Sequence, residues 1–393
     1  MRNVVFPSSS LEIVRLTSGC RTVTYSNKRI QHSRRQAVNG HKMSAMRSKR
    51  SSQPSITDVA KLAGVSTATV SRYFNNRSVV RPKTAEKIEE VVSRLGYQPN
   101  PLARAFVTGT TDTILVFTWN LPLFGPSSVI NGIIEEGKGS GNLISIFSVD
   151  PSSHASVNTA LDHVREERPM GLIFTDFESY GRKTLDEMPF SIPAVSVVGD
   201  ITDGTYNQVS VCDELGGRTL TEYLLSLGHR TVHYVSGTLT GIADGRPISG
   251  RELGWSSALR DAGIVPPTPL TGADTPRQAY EIGCRLAHDD AVTAVFAGND
   301  VIAMSLIGGL AAEGRRVPDD ISVVGFDDTP IAEVYTPALT TYSVPFDQVG
   351  RALYSMLIDV ALGGSDGVGD EGRRIREFSG ELKVRRSAAP PRE

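Results

Sequence analysis

The chain has 393 residues, which at about 150 residues per domain allows two or three domains. Apolar residues make up 39% and aromatics 7%, enough for a sizeable buried core and too many for wholesale disorder. The net charge of −2 hides an asymmetry: residues 1–50 carry 11 Lys/Arg and one acid, residues 51–109 carry 8 and 4, and residues 110–393 carry 22 and 38. A basic front on an acidic body points to a polyanion-binding head joined to something else. The longest apolar runs, such as 113–118 and 321–326, are strand-sized, and none approaches the roughly 18 residues of a membrane-spanning helix. Cys20, Cys212 and Cys284 exclude a disulfide framework and lack zinc-ligand spacing, so a reducing, cytoplasmic setting is expected.

Residues 1–50 are rich in Ser, Arg, Asn and Gln without an apolar period, and read as a disordered basic extension. Leu16-Thr17-Ser18-Gly19-Cys20 loosely has the form of a lipoprotein cleavage box, but Glu12 and Arg15 interrupt the apolar stretch that export requires. Met43 and Met46 stand just ahead of the first structured segment and offer alternative starts; otherwise the segment adds nonspecific phosphate contacts.

Ser55-Ile56-Thr57-Asp58 has the form of a capping box, and Val59, Leu62 and Ala63 then share a helical face. Gly64 suits the helix end. Ser66 caps a second helix over 67–74, with Val70 and Phe74 inward. Pro82 opens a third, through Leu95, with Ile88, Val91, Val92 and Leu95 as its stripe and Gly96 as its stop. This is the plan of a helix-turn-helix, whose second helix presents its N-terminal residues to base edges. Thr67, Ala68, Ser71 and Arg72 are its outward positions. Arg72 can read guanine by a bidentate contact, Thr67 and Ala68 can touch thymine methyls, and Asn75, Asn76 and Arg77 suit phosphates. An ordinary three-helix bundle with a solvated Arg72 fits the same spacing.

The run Ile56-Thr57-Asp58-Val59-Ala60-Lys61-Leu62-Ala63-Gly64-Val65-Ser66-Thr67-Ala68-Thr69-Val70-Ser71-Arg72, continued by Leu95-Gly96-Tyr97-Gln98-Pro99-Asn100, closely resembles the DNA-binding headpiece of the lactose/galactose repressor family. Tyr73-Phe74 stand where that family usually has smaller aliphatics. The resemblance implies that 51–109 comprise an all-α headpiece and hinge helix, with Thr57, Ser66, Thr67, Ala68, Ser71, Arg72 and Asn75 facing DNA. In the hinge, Ala103-Arg104-Ala105-Phe106 replaces the family's Ala-Arg-Ser-Leu. Arg104 is thereby placed at the minor groove and Phe106 at the position of the apolar wedge that kinks DNA.

Beyond residue 110, apolar runs at 113–118, 142–148, 171–175, 194–198, 231–236, 294–297 and 321–326 alternate with helix-length segments such as 213–227, 251–262 and 300–313. Nearly continuous apolar strands alternating with helices predict doubly wound parallel sheets in two lobes, with ligands beyond the strands' carboxyl ends. Those ends carry Trp119-Asn120, Asp200, Asn299-Asp300 and Asp327-Asp328. Leu227-Gly228-His229-Arg230, Arg251-Glu252-Leu253-Gly254-Trp255, Phe296-Ala297-Gly298-Asn299-Asp300, 317–328 and 337–341 resemble the two-lobed, periplasmic-binding-protein-like sensor core of the same family. The resemblance implies effector contacts by Arg251, Asn299 and Asp327, types that suit a polyol because carboxylate and amide oxygens accept from hydroxyls while the guanidinium donates. Trp119 and Phe124, near the end of the first strand, can supply an apolar wall. Asp274 falls near where sugar- and purine-binding relatives often place a stacking aromatic.

No enzyme motif is present: Gly137, Gly139 and Gly141 precede a strand instead of following one, so they are no dinucleotide fingerprint. The segment 385–393 lacks the heptads of a tetramerising coiled coil. The expectation is therefore a cytoplasmic, nucleoid-associated, ligand-responsive repressor of a carbohydrate-utilisation operon, binding double-stranded pseudo-palindromic operator DNA as a homodimer, without cofactor, metal or membrane. The rival class, an extracytoplasmic solute-binding protein, has similar lobes but no helix-turn-helix.

Overall fold

The headpiece consists of α1 (Ile56–Ala63), α2 (Thr67–Asn75) and α3 (Pro82–Leu95); the computed structural model describes residues 54–75, 77–97, 111–119, 121–150, 153–175, 192–200, 207–237, 249–363 and 374–392. Gly64, at φ 68°, turns the chain so that the Val65 N–H closes on the Ala60 carbonyl at 3.0 Å. The Ser66 hydroxyl accepts the Thr69 N–H at 3.1 Å and caps α2. After α3, Gly96 is left-handed and the Tyr97 N–H returns to the Val92 carbonyl at 3.1 Å, which satisfies the helix end. Val59, Ala60, Ala63, Val70, Ile88 and Val91 form the small core. Leu62, expected inside, is exposed: at 100° per residue it lies away from the stripe that Val59, Ala60 and Ala63 share.

Two sheets follow. The first has the order β10-β5-β4-β3-β1-β2, with β1 (Thr113–Thr118), β2 (Leu143–Ser148), β3 (Gly171–Phe174), β4 (Ala194–Val198), β5 (Asn207–Ser210) and β10 (Ile375–Glu377) all parallel. The second has the order β11-β9-β8-β7-β6, with β6 (His233–Val235), β7 (Ala294–Ala297), β8 (Ser322–Asp327) and β9 (Thr340–Ser343) parallel, and β11 (Glu381–Lys383) antiparallel to β9. The chain passes from one sheet to the other at 211–213, 344–346 and 378–380, which makes two lobes that neither half of the sequence builds alone.

The expected strands are present within a residue or two, but β2 is not buried on both faces. It is an edge strand, and Leu143 and Ile146 are exposed. The antiparallel β11 also departs from an all-parallel expectation. In the second lobe, helices Asp213–Ser226 and Gly250–Asp261 pack backbone to backbone, since a Cβ at Gly217 would fall 2.2 Å from the Arg251 carbonyl oxygen. That close approach sets the height of Arg251 against the strand ends. The C-terminal segment lies along β8 and β9, where the Ser387 hydroxyl donates to the Val323 carbonyl at 2.6 Å and accepts the Thr340 N–H at 2.8 Å. No described helix is long and apolar enough to cross a membrane.

Candidate functional site

Arg251 enters the second lobe from the first turn of helix Gly250–Asp261, whose cap is Ser249 accepting the Glu252 N–H at 3.3 Å. Its Nε donates to Asp213 Oδ1 at 3.1 Å and its Nη1 to the Gly298 carbonyl at 2.6 Å. Asp327 Oδ1 lies 3.3 Å from Nη1, and the guanidinium carbon sits 3.8 Å from the centre of the Phe326 ring. Burial opposes the charge on Arg251, but the neighbouring Asp213 and Asp327 prevail and hold it firmly protonated. Burial pushes the Asp327 carboxyl well up, against the pull of Arg251.

Asp327 and Asp328 have φ of 107° and 55°. Such angles in successive non-glycine residues mark stored strain, which persists only where surrounding structure enforces it. Asp300 does so. Its Oδ2 accepts the Thr329 N–H at 2.6 Å and the Thr329 hydroxyl at 3.0 Å, and its Oδ1 accepts the Thr341 hydroxyl at 2.6 Å. Burial raises Asp300 to about 6 despite these bonds. Arg385 holds Asp328 at 2.7 Å from the other side.

Asn299 caps helix Asp300–Ala312, its Oδ1 accepting the Ile302 N–H at 2.9 Å. The sequence suggested an acceptor oxygen at this position. The helix N-terminus takes one lone pair of that oxygen, which leaves the amide nitrogen and the second lone pair for Asn299 to present. Trp119 and Phe124 belong to the first lobe, one just past β1 and the other at the start of helix Phe124–Gly137, both half-buried. Phe124 meets Phe346 edge-on with centroids 6.1 Å apart. Asp200, past β4, accepts the Glu214 N–H at 3.1 Å and is raised to about 6 by burial.

Asp213, Phe326 and the Gly298 carbonyl complete the Arg251 cluster and were not singled out from sequence. Asp213 follows β5, whose Asn-Gln-Val-Ser has too little apolar character to mark a strand. Recognising β5 would have placed Asp213 at a strand end beside the others.

On the headpiece, Thr57, Ser66, Thr67, Ala68 and Arg72 are exposed and Ser71 is half-buried. Arg77 is engaged locally, donating from Nη1 to Glu89 at 3.3 Å and lying over the Tyr73 ring. The Asn75 side chain, Asn76, Arg104 and Phe106 lie outside the described residues.

A helix-turn-helix unit in one chain with two α/β lobes, whose strand ends meet at a buried, doubly paired arginine, defines a DNA-binding regulator with a sensor core. Residues 55–100 match the model of bacterial regulatory proteins of the lacI family, and residues 221–388 that of the periplasmic binding protein-like domain. The chain is 31% identical over 344 residues to the HTH-type transcriptional repressor PurR of Haemophilus influenzae, covering 84% of this chain and 98% of that one. It is 29% identical over 309 residues to the lactose operon repressor of Escherichia coli, covering 78% and 84%. Among solved structures it is similar to the Lac repressor dimer bound to operator and the anti-inducer ONPF, with TM-score 0.70, 27% identity and coverage of 86% and 100%. The chain belongs to the lacI family of bacterial regulatory proteins.

Proposed function

We propose that the protein represses a carbohydrate-utilisation operon, acting in the cytoplasm as a homodimer on a pseudo-palindromic operator and responding to a small hydroxyl-rich effector. Its parts are a basic extension (1–50), a headpiece with hinge helix (51–109) and an effector-binding, dimerising core (110–393). It is a regulator and not a catalyst. The single observation that carries the effector reading is Asp327: a buried carboxylate in a strained, left-handed conformation, beside Arg251 at the carboxyl end of β8.

Oxygens of the Asp327 carboxyl accept from ligand hydroxyls, while Arg251 and the Asn299 amide donate to them. Trp119 and Phe124 supply an apolar wall for a sugar ring. Like charge from Asp200, Asp213 and Asp300 disfavours an acidic ligand, and the lactose operon repressor among the relatives agrees with a neutral sugar.

On DNA, Thr67, Ala68, Ser71 and Arg72 read base edges from α2, with Thr57, Ser66 and Asn75 on the backbone. Arg104 and Phe106 serve the hinge, the latter as the minor-groove wedge. For the dimer, the exposed apolar Ile134, Leu143 and Ile146 at the β2 edge of the first lobe suit a second copy, which a two-fold operator requires. Mobility shifts on DNA upstream of the protein's own gene, with and without a panel of neutral sugars, test the reading. Specific binding released or strengthened by one sugar is expected; sequence-independent binding that no sugar alters would overturn it.

A further inference from the structure

Buried hydroxyls in native proteins nearly always have partners, and each exception needs an explanation. Ser236 is such an exception. It directly follows β6 and is 6% exposed, and its Oγ has no hydrogen-bond partner among the described residues. Its backbone cannot swing the hydroxyl elsewhere: the N–H donates to the Leu270 carbonyl at 2.9 Å, and the carbonyl accepts the Ala273 N–H at 3.0 Å. Ser236 is also next to the Arg251 cluster. A Cβ built on Gly298 would lie 3.5 Å from the Ser236 Cβ, and the Gly298 carbonyl is the one that holds Arg251. Strands β6 and β7 are parallel neighbours, so Ser236 and Gly298 cap adjacent carboxyl ends, where ligands of such sheets sit.

We infer that Ser236 is an effector-contacting residue, its hydroxyl without a partner among the described residues because the ligand supplies one. The inference rests on the reading that the core binds a hydroxyl-rich effector. A serine hydroxyl both donates and accepts, so it pairs with a sugar hydroxyl in either sense. It also selects against ligands lacking that group, since these leave it buried and unpaired. A second buried hydroxyl unpartnered among the described residues, Thr231 Oγ1, precedes β6 at its amino end and serves as a control with the same defect away from the strands' carboxyl ends.

The experiment compares wild type, Ser236→Ala and Thr231→Val by thermal melting and by calorimetry with glucose, galactose, ribose, lactose and cellobiose. Removing an unpaired buried hydroxyl relieves a desolvation cost, so ligand-free Ser236→Ala should melt about 2 °C above wild type. Its affinity for whichever sugar the wild type binds should fall roughly tenfold. Thr231→Val should share the gain in stability and keep wild-type affinity. Wild-type affinity in Ser236→Ala, or melting below wild type, overturns the inference while leaving the sugar reading intact. Absence of binding by the wild type to every sugar overturns the sugar reading, and this inference with it.

Discussion

Asp327 keeps a φ of 107°, a conformation costing a non-glycine residue on the order of 1–3 kcal/mol. Asparagine tolerates left-handed backbone, so Asp327→Asn should fold and bind operator while losing about 1–3 kcal/mol of effector affinity. Coupling is a differential affinity between DNA-competent and incompetent states, so response must fall with affinity. Calorimetry and operator titration on this variant check both; undiminished effector binding would place the pocket elsewhere. Arg251 is a different case, because its loss leaves Asp213 and Asp327 buried without their shared cation. Arg251→Met should therefore destabilise the fold by about 3–5 kcal/mol, far more than Asp327→Asn, where Asp213 and the Gly298 carbonyl still hold the guanidinium. Urea melts of the two variants decide the order.

Within α2, only the outer face is available to DNA, because Val70 is buried and Phe74 packs against the core. Arg72→Ala should cost about 1–3 kcal/mol of discrimination between operator and mismatched sites. Equal loss on random DNA would make Arg72 a phosphate contact. At the other end of the chain, His229 pins the C-terminal segment to β8. Its Nε2–H donates to the Ala389 carbonyl at 3.1 Å, with Ser322 Oγ also 3.1 Å away, and Nδ1 lies 3.0 Å from Thr293 Oγ1. Burial lowers the His229 pKa, against the opposing effect of the Ala389 carbonyl. The unfolded state then binds more protons, so stability falls as pH drops below the unfolded value of about 6.5. His229→Gln should remove its part of this acid slope in melting temperature; what is left combines His233, which burial also lowers, with the opposite contribution of Asp200, Asp300 and Asp327, whose raised carboxyls favour the folded state as pH falls. An unchanged slope would show that His229 is not the titrating group.

For the whole molecule, the proposed dimer would use the outer edge of the first lobe. An edge strand with exposed apolar side chains invites pairing, and Leu143 and Ile146 on β2 are not blunted by charge at those positions. Leu143→Glu combined with Ile146→Glu should convert the dimer to monomer in sedimentation and lower operator affinity, because each half-site is then bound alone. Circular dichroism should be unchanged, since neither side chain contributes to the buried core. A dimer that persists in the double variant would move the interface to another face.

Local signals make the headpiece readable from its residues alone. The Ser66 cap, the glycine turns at 64 and 96 and the proline at 82 each act within one helical turn, and the helices begin and end where they indicate. The apolar strands β1, β4, β7 and β8 are equally legible, since a strand buried on both faces must be apolar along its length. Strands β5, β9, β10 and β11 are not, because short segments holding polar residues become strands only when a neighbouring edge pairs with them. The site divides the same way. Arg251 and Asp327 can be named one by one, but Asp213, Gly298 and Ser236 acquire meaning only where the chain has crossed between sheets and brought distant segments together. Asn299 stands out for its amide oxygen, one lone pair of which the helix it caps takes up. Side-chain chemistry is written in the sequence; which groups remain unpaired to meet a ligand depends on partners far away along the chain, and only tertiary packing decides those.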